Sequence, residues 1–132
     1  MKLIDLKSYA KVNLALDVLG RRPDGYHELR MVMQQTALAD DVCVRWISDG
    51  KADAVAVEVH TNRYYIPTDR RNTAYGAAEV MADRFGAGMA GTIRVDIKKK
   101  VPVAAGLAGG SGNGAAVIHG LNKLWGLGLS VR

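Results

Sequence analysis

Lys98-Lys99-Lys100-Val101-Pro102-Val103-Ala104-Ala105-Gly106-Leu107-Ala108-Gly109-Gly110-Ser111-Gly112-Asn113 decides how this chain is read. Upstream, residues 92–98 place Ile93, Val95 and Ile97 between polar neighbours, the period of two that marks a strand. Downstream, from about Ser111 to Trp125, the residues Val117, Leu121, Leu124 and Trp125 recur at helical spacing, with Gly126 as the stop. The stretch between them is therefore a glycine-rich connection from a strand to a helix. Small residues let backbone N–H groups approach an anion, and a helix N-terminus adds unpaired donors and positive dipole character. No Gly-Lys-Ser/Thr closes the stretch, so it is not a Walker loop, and its glycines fit no Gly-x-Gly-x-x-Gly spacing. A tight structural connection is the alternative; phosphate binding is the favoured reading.

Working outward, residues 72–85 read as a helix: Asn72 or Thr73 caps it, Ala74, Ala77, Ala78, Val80, Met81 and Ala82 populate it, and Gly86 ends it. Near the N-terminus, Val12, Leu14, Leu16 and Val18 alternate with Asn13, Ala15 and Asp17, which predicts a half-buried strand. Pro23-Asp24-Gly25 is a turn, since Pro presets one dihedral and Gly permits positive φ. Residues 29–38 are a candidate second strand. Residues 42–47 and 54–60 flank Ser48-Asp49-Gly50-Lys51 and predict a hairpin. Leu129-Ser130-Val131-Arg132 reads as an apolar anchor with an N-cap Ser opening a further helix. Such an end is expected of the front part of something longer.

The 132 residues allow one domain, over 1–132, and 48% hydrophobic content supports a real core. Six of the 15 glycines fall between Gly106 and Gly120, so the excess is local and not linker-like. The net charge of +5 suits an anionic partner: nucleic acid, acidic lipid or a phosphorylated small molecule. Aromatics are only 6% and are not interleaved with a long basic stripe, so nucleic acid is not the expected partner. With one cysteine, Cys43, no disulfide framework or cysteine metal site forms within the chain, and a buried structural thiol is expected. No stretch reads as a signal peptide or a membrane span, so the cytoplasm is the expected compartment.

The loop, with Leu121-Asn122-Lys123-Leu124-Trp125 behind it, resembles the ATP loop of the GHMP kinases. Ala10-Lys11-Val12-Asn13-Leu14, followed by Gly20-Arg21-Arg22-Pro23-Asp24-Gly25-Tyr26-His27-Glu28-Leu29, is similar to the branch whose acceptor is 4-diphosphocytidyl-2-C-methyl-D-erythritol. Asp24-Gly25-Tyr26-His27 is the specific element. The resemblance implies an α+β fold, the GHMP-kinase N-terminal domain, similar to a domain of a small-subunit ribosomal protein. It implies phosphorylation of the substrate's 2-hydroxyl by ATP with Mg²⁺, in the non-mevalonate isoprenoid pathway.

Carried over position by position, the resemblance makes Lys11 the catalytic lysine and Asn13 a substrate-binding residue. Tyr26 and His27 would recognise the cytidine diphosphate end of the small-molecule substrate. Asn72 and Lys99 would lie on the adenosine side, and Pro102, Ala104, Gly106, Leu107, Ala108, Gly109, Gly110, Ser111, Gly112 and Asn113 would cradle the nucleotide. Ser111 can bond a phosphate oxygen or help hold Mg²⁺; no protein metal site is expected. The bland readings are solvated strand lysines for Lys11 and Lys99, core packing for Tyr26, a surface histidine for His27, and helix capping for Asn72.

Gly112 stands where the family often carries a hydroxyl, and Met33 where relatives often carry an aromatic, so weaker phosphate and cytosine binding are expected. The family's catalytic aspartate and C-terminal domain are implied to lie beyond residue 132, which predicts a poor or inactive kinase for this chain alone. The competing reading is a non-catalytic nucleotide- or RNA-binding module or an inactive fragment. A homodimer is expected if an exposed apolar patch exceeds a few hundred Å².

Overall fold

The computed structural model describes residues 1–131. The elements follow in the order β1 (Lys2–Arg21), β2 (His27–Ser48), β3 (Val55–Thr61), α1 (Thr73–Phe85), β4 (Gly91–Lys98) and α2 (Gly109–Leu124). The strands form one sheet in the order β1-β2-β4-β3, antiparallel except for the parallel β3–β4 pair. This is the α+β architecture that the resemblance implies.

Period-two alternation sorts the sheet into two faces. Val42, Val44 and Trp46 of β2, Ile93, Val95 and Ile97 of β4, and Val59 of β3 point to one side and are buried. Their neighbours face the other side, where Asp96 pairs with Arg45 and Arg94. Both helices cover the apolar face: α1 contributes Ala74, Ala78 and Met81, and α2 contributes Ala116, Val117 and Leu121. Trp125 meets Trp46 edge-on at 5.4 Å between ring centroids. Burying one Leu or Ile fully stabilises by about 1.5–3 kcal/mol, so this layer carries most of the fold.

The ends of α1 fall where capping chemistry puts them. Asn72 accepts from the Ala74 N–H at 2.9 Å, and the Gly86 N–H donates to the Ala82 carbonyl. Gly126, at φ +63°, turns the chain after α2. Both ends of the Asn122 amide then hold Leu129. The helix expected to open at Ser130 does not start within the described residues, and Arg132 lies outside them.

Four expectations are corrected. Residues 29–38 and 42–47 belong to one strand, β2. The hairpin across Ser48-Asp49-Gly50-Lys51 does not form, because β4 lies between β2 and β3. Ile93, Val95 and Ile97, with at most 3% exposure, need the centre of the sheet. The strand around Val12–Val18 is not half-buried: Leu14 is 66% and Val18 62% exposed. Beyond Ala10, β1 and β2 run on as a two-stranded arm past the helices. Cys43 is only partly buried, on the polar face, where burial comes first in pushing its thiol above the ordinary value.

The arm begins at a register break. Tyr9 pairs with Ala39 but Lys11 pairs with Gln35, so residues 36–38 bulge opposite Ala10. Thr36 Oγ1 donates to the Ala10 carbonyl at 3.2 Å within the bulge. Bulges re-aim the residues beside them, and here the next residue is Lys11.

Candidate functional site

With the ladder interrupted, the Lys11 N–H donates to the Leu107 carbonyl of the loop at 3.1 Å. The Lys11 side chain turns the same way, its ammonium reaching the Gly106 carbonyl at 3.1 Å and Asn13 Oδ1 at 3.3 Å. An ammonium has three N–H donors, so one is left over at the loop's edge. Lys11 is therefore not a freely solvated strand lysine.

The loop itself is built for backbone approach. Ala104 and Ala108 both hold the left-handed conformation at φ +58°, sparsely populated for residues with a Cβ. Ala108 is the N-cap of α2 and supplies no side-chain cap, so the first N–H groups of that helix have no side-chain partner. A cleft of about 380 Å³ opens in front of them, lined by residues 102–111 and by Tyr65, Ile66, Pro67, Arg71, Asn72 and Thr73. The helix start gives it positive character, the Arg71 guanidinium on its wall is paired with Asp69, and no carboxylate lines it among the described residues. Small mobile-shelled anions such as phosphate groups suit such a cradle.

Behind the loop sits a buried ion pair. Asp40 is fully buried and Lys99 is 6% exposed, with Lys99 Nζ at 2.5 Å from Asp40 Oδ2 and 2.9 Å from Asn113 Oδ1. Asp40 also accepts from the N–H groups of Lys100 and Val101, at 2.6 and 2.8 Å, and from Asn113 Nδ2 at 3.0 Å. Burial pushes its carboxyl up, but these donors outweigh it and hold it below the ordinary 3.8. Asn62 fixes the Lys99 backbone from the other side.

The structure thus brings Lys11, Asn13 and the loop together. Asn72 and Lys99 reach the cleft wall, but with committed side chains: Asn72 caps α1 and donates to the Pro67 carbonyl at 2.8 Å, and Lys99 faces Asp40. The solvated reading of Lys99 is corrected; Lys98 and Lys100 are the exposed members of the triplet. Asn113 is 3% exposed, and its amide is spent on Lys99 and Asp40. Gly112 also faces inward. A Cβ there would lie 2.6 Å from Ser8 Oγ, so a side chain at this position points at β1 and away from the cleft. Tyr26 and His27 stand at the far end of the arm, apart from the cleft, with Tyr26 74% exposed and unavailable as core packing.

Sequence reasoning missed Asp40 and the cleft-lining Tyr65, Ile66, Arg71 and Thr73. Asp40 carried a usable signal, since it shares the inward parity of Val42, Val44 and Trp46. A carboxylate on a core-facing position requires partners.

Residues 72–132 match the family described as GHMP kinases N terminal domain. The chain is 46% identical over 132 residues to 4-diphosphocytidyl-2-C-methyl-D-erythritol kinase of Nostoc punctiforme, covering 98% of this chain and 40% of that protein. It is 48% identical over 130 residues to the protein of the same name from Alkaliphilus metalliredigens, covering 98% and 42%. The chain thus spans about two fifths of the length of the curated relatives it matches. A crystal structure of 4-(cytidine 5'-diphospho)-2C-methyl-D-erythritol kinase superposes with a TM-score of 0.73 at 35% identity, covering 96% of this chain and 42% of that one. Mevalonate pyrophosphate decarboxylase from Streptococcus pyogenes, at 16% identity and a TM-score of 0.71, shares the fold.

Proposed function

We propose that the chain carries the N-terminal domain of a GHMP kinase, the family that residues 72–132 match, and that it holds ATP against residues 102–113 for phosphoryl transfer to an alcohol. The acceptor in this reading is the 2-hydroxyl of 4-diphosphocytidyl-2-C-methyl-D-erythritol, a cytoplasmic small-molecule substrate of the non-mevalonate isoprenoid pathway. The observation that carries the proposal is the Lys11 ammonium standing on the loop at Gly106.

Phosphoryl transfer needs positioning and charge neutralisation more than covalent chemistry. The uncapped start of α2 and the loop N–H groups offer donors to the phosphates. The spare Lys11 N–H offers a fixed positive charge for the oxygens of the group in transit, held in place beforehand by Gly106 and Asn13. Tyr26 and His27, at the arm's end, are assigned to the cytidine end by resemblance; Tyr26 has an open ring face for stacking.

For Mg²⁺ the cleft offers Ser111, and no group of three His, Cys, Asp or Glu gathers anywhere among the described residues. These residues do not make a protein-held metal site, so no step is derived through the ion. Among the described residues no carboxylate lines the cleft to take the acceptor proton either. In this reading the base comes from outside residues 1–132.

A longer chain that contains these residues, given ATP, Mg²⁺ and the acceptor, is expected to release ADP one-for-one with product phosphorylated on the 2-hydroxyl, read by phosphorus NMR. Phosphorylation at another hydroxyl, or ADP release indifferent to the acceptor, would refute the assignment.

A further inference from the structure

We propose that Asp40 is a positioning residue for the phosphate loop, tying the strand end that leads into it to the helix turn that leaves it. The proposal rests on the nucleotide reading of that loop. Asp40 does not line the cleft; of its hydrogen-bond partners, Lys99 and Asn113 do, and Lys100 and Val101 stand just before Pro102.

One carboxylate gathers four donors. The Lys100 and Val101 N–H groups fix the chain just before Pro102, at 2.6 and 2.8 Å. Asn113 Nδ2, at 3.0 Å, fixes the start of the second turn of α2. Lys99 Nζ bridges the two, 2.5 Å from Asp40 and 2.9 Å from Asn113. Between these anchors, residues 102–106 are exposed. Their hydrogen bonding to the rest of the molecule runs through Lys11 to Gly106. The loop includes Ala104 in a left-handed conformation, which costs free energy unless the surroundings impose it. The two ends must therefore be held at a set distance and angle, and the Asp40 network is what holds them.

A buried ion pair is a poor device for stability alone, because desolvating two charges offsets much of their attraction and a well-packed apolar pair of similar volume does as well. An apolar residue at 40 cannot accept from Lys100, Val101 and Asn113 together. Joining three segments is what the carboxylate adds.

The test compares this chain with Asp40→Asn and with the double variant Asp40→Leu/Lys99→Met, which removes both charges at similar volume. Three quantities are read: affinity for a non-hydrolysable ATP analogue by calorimetry, the urea midpoint, and amide exchange of residues 107–111 against that of Ala78. The expected result is a loss of nucleotide affinity of about tenfold or more in both variants, the scale of one charge-assisted hydrogen bond. Exchange at 107–111 accelerates while Ala78 at matched stability does not. The double variant leaves the Lys100, Val101 and Asn113 donors without an acceptor and lowers the urea midpoint as well; Leu121→Ala, compared at the same midpoint, keeps its affinity, which separates positioning from stability. Parent-like affinity in the double variant, or in a folded Asp40→Asn, overturns the proposal while leaving the nucleotide reading intact. Absence of binding by the parent chain overturns the nucleotide reading itself, and this proposal with it.

Discussion

The Lys11 ammonium lies 3.1 Å from the Gly106 carbonyl oxygen, across 95 residues of sequence. The register break after Tyr9 accompanies this: Lys11 stays opposite Gln35 in the β1–β2 ladder, while its N–H and its side chain turn to the loop. A strand lysine in an unbroken ladder would have presented its charge to solvent.

Replacing Lys11 with Met removes this charge and keeps the aliphatic stem. The expected effect in a longer, catalytically complete chain is a fall in kcat of about 100- to 1000-fold, the scale for one preorganised donor at developing charge. Steady-state kinetics check this. Lys11→Arg is expected to rescue little, since a planar guanidinium does not reproduce a point charge held between Gly106 and Asn13.

Gly112 and Ser8 are expected to be coupled. A Cβ at 112 would come within 2.6 Å of Ser8 Oγ, and that hydroxyl is buried without a hydrogen-bond partner. Gly112→Ala should destabilise by about 1–3 kcal/mol through overpacking. Ser8→Ala should be neutral or stabilising, because it deletes an unsatisfied polar atom. The double variant should recover most of the loss, giving a clear interaction energy in a urea-denaturation cycle. Nucleotide affinity should follow stability and not the loss of a ligand hydroxyl, since position 112 faces β1.

Acid stability should report Asp40. Its folded-state value lies below the ordinary 3.8, so the unfolded chain takes up the proton first. The contribution is complete above the unfolded-state value and is lost as pH falls through the folded one. Asp41, held to about 2 by Lys7 and Lys100, adds a loss of the same sign as pH falls toward that value. Thermal unfolding followed from pH 7 downward should therefore show a midpoint that drops below about pH 4, and Asp40→Asn should make that drop shallower.

Leu121 is fully exposed to the core and fully hidden from solvent, in the layer between α2 and the sheet. Leu121→Ala should cost about 2–5 kcal/mol, measured as a lower urea midpoint at unchanged slope.

Much of this was legible in the sequence. The alternation in β4, the capped α1 and the apolar spacing of α2 were readable because each rests on local periodicity or local capping. The loop was readable because few other structures need that density of small residues between a strand and a helix. The β2–β3 hairpin was misread because local turn chemistry at Asp49-Gly50 says nothing about β4, which arrives 40 residues later to take the central place. Leu14, Leu16 and Val18 carry a period of two that predicts a strand correctly, but period cannot tell what covers it. Lys99 looked like its neighbours Lys98 and Lys100, but it continues the inward parity of Ile93, Val95 and Ile97, and Asp40 has the inward parity on β2.

Calorimetric titration of this chain with a non-hydrolysable ATP analogue and Mg²⁺ tests the central claim most directly. The account predicts saturable binding, weakened when Lys11 is replaced by Met and unaffected by replacing exposed Lys98. No heat at millimolar analogue, or equal binding by the Lys11→Met variant, would contradict it.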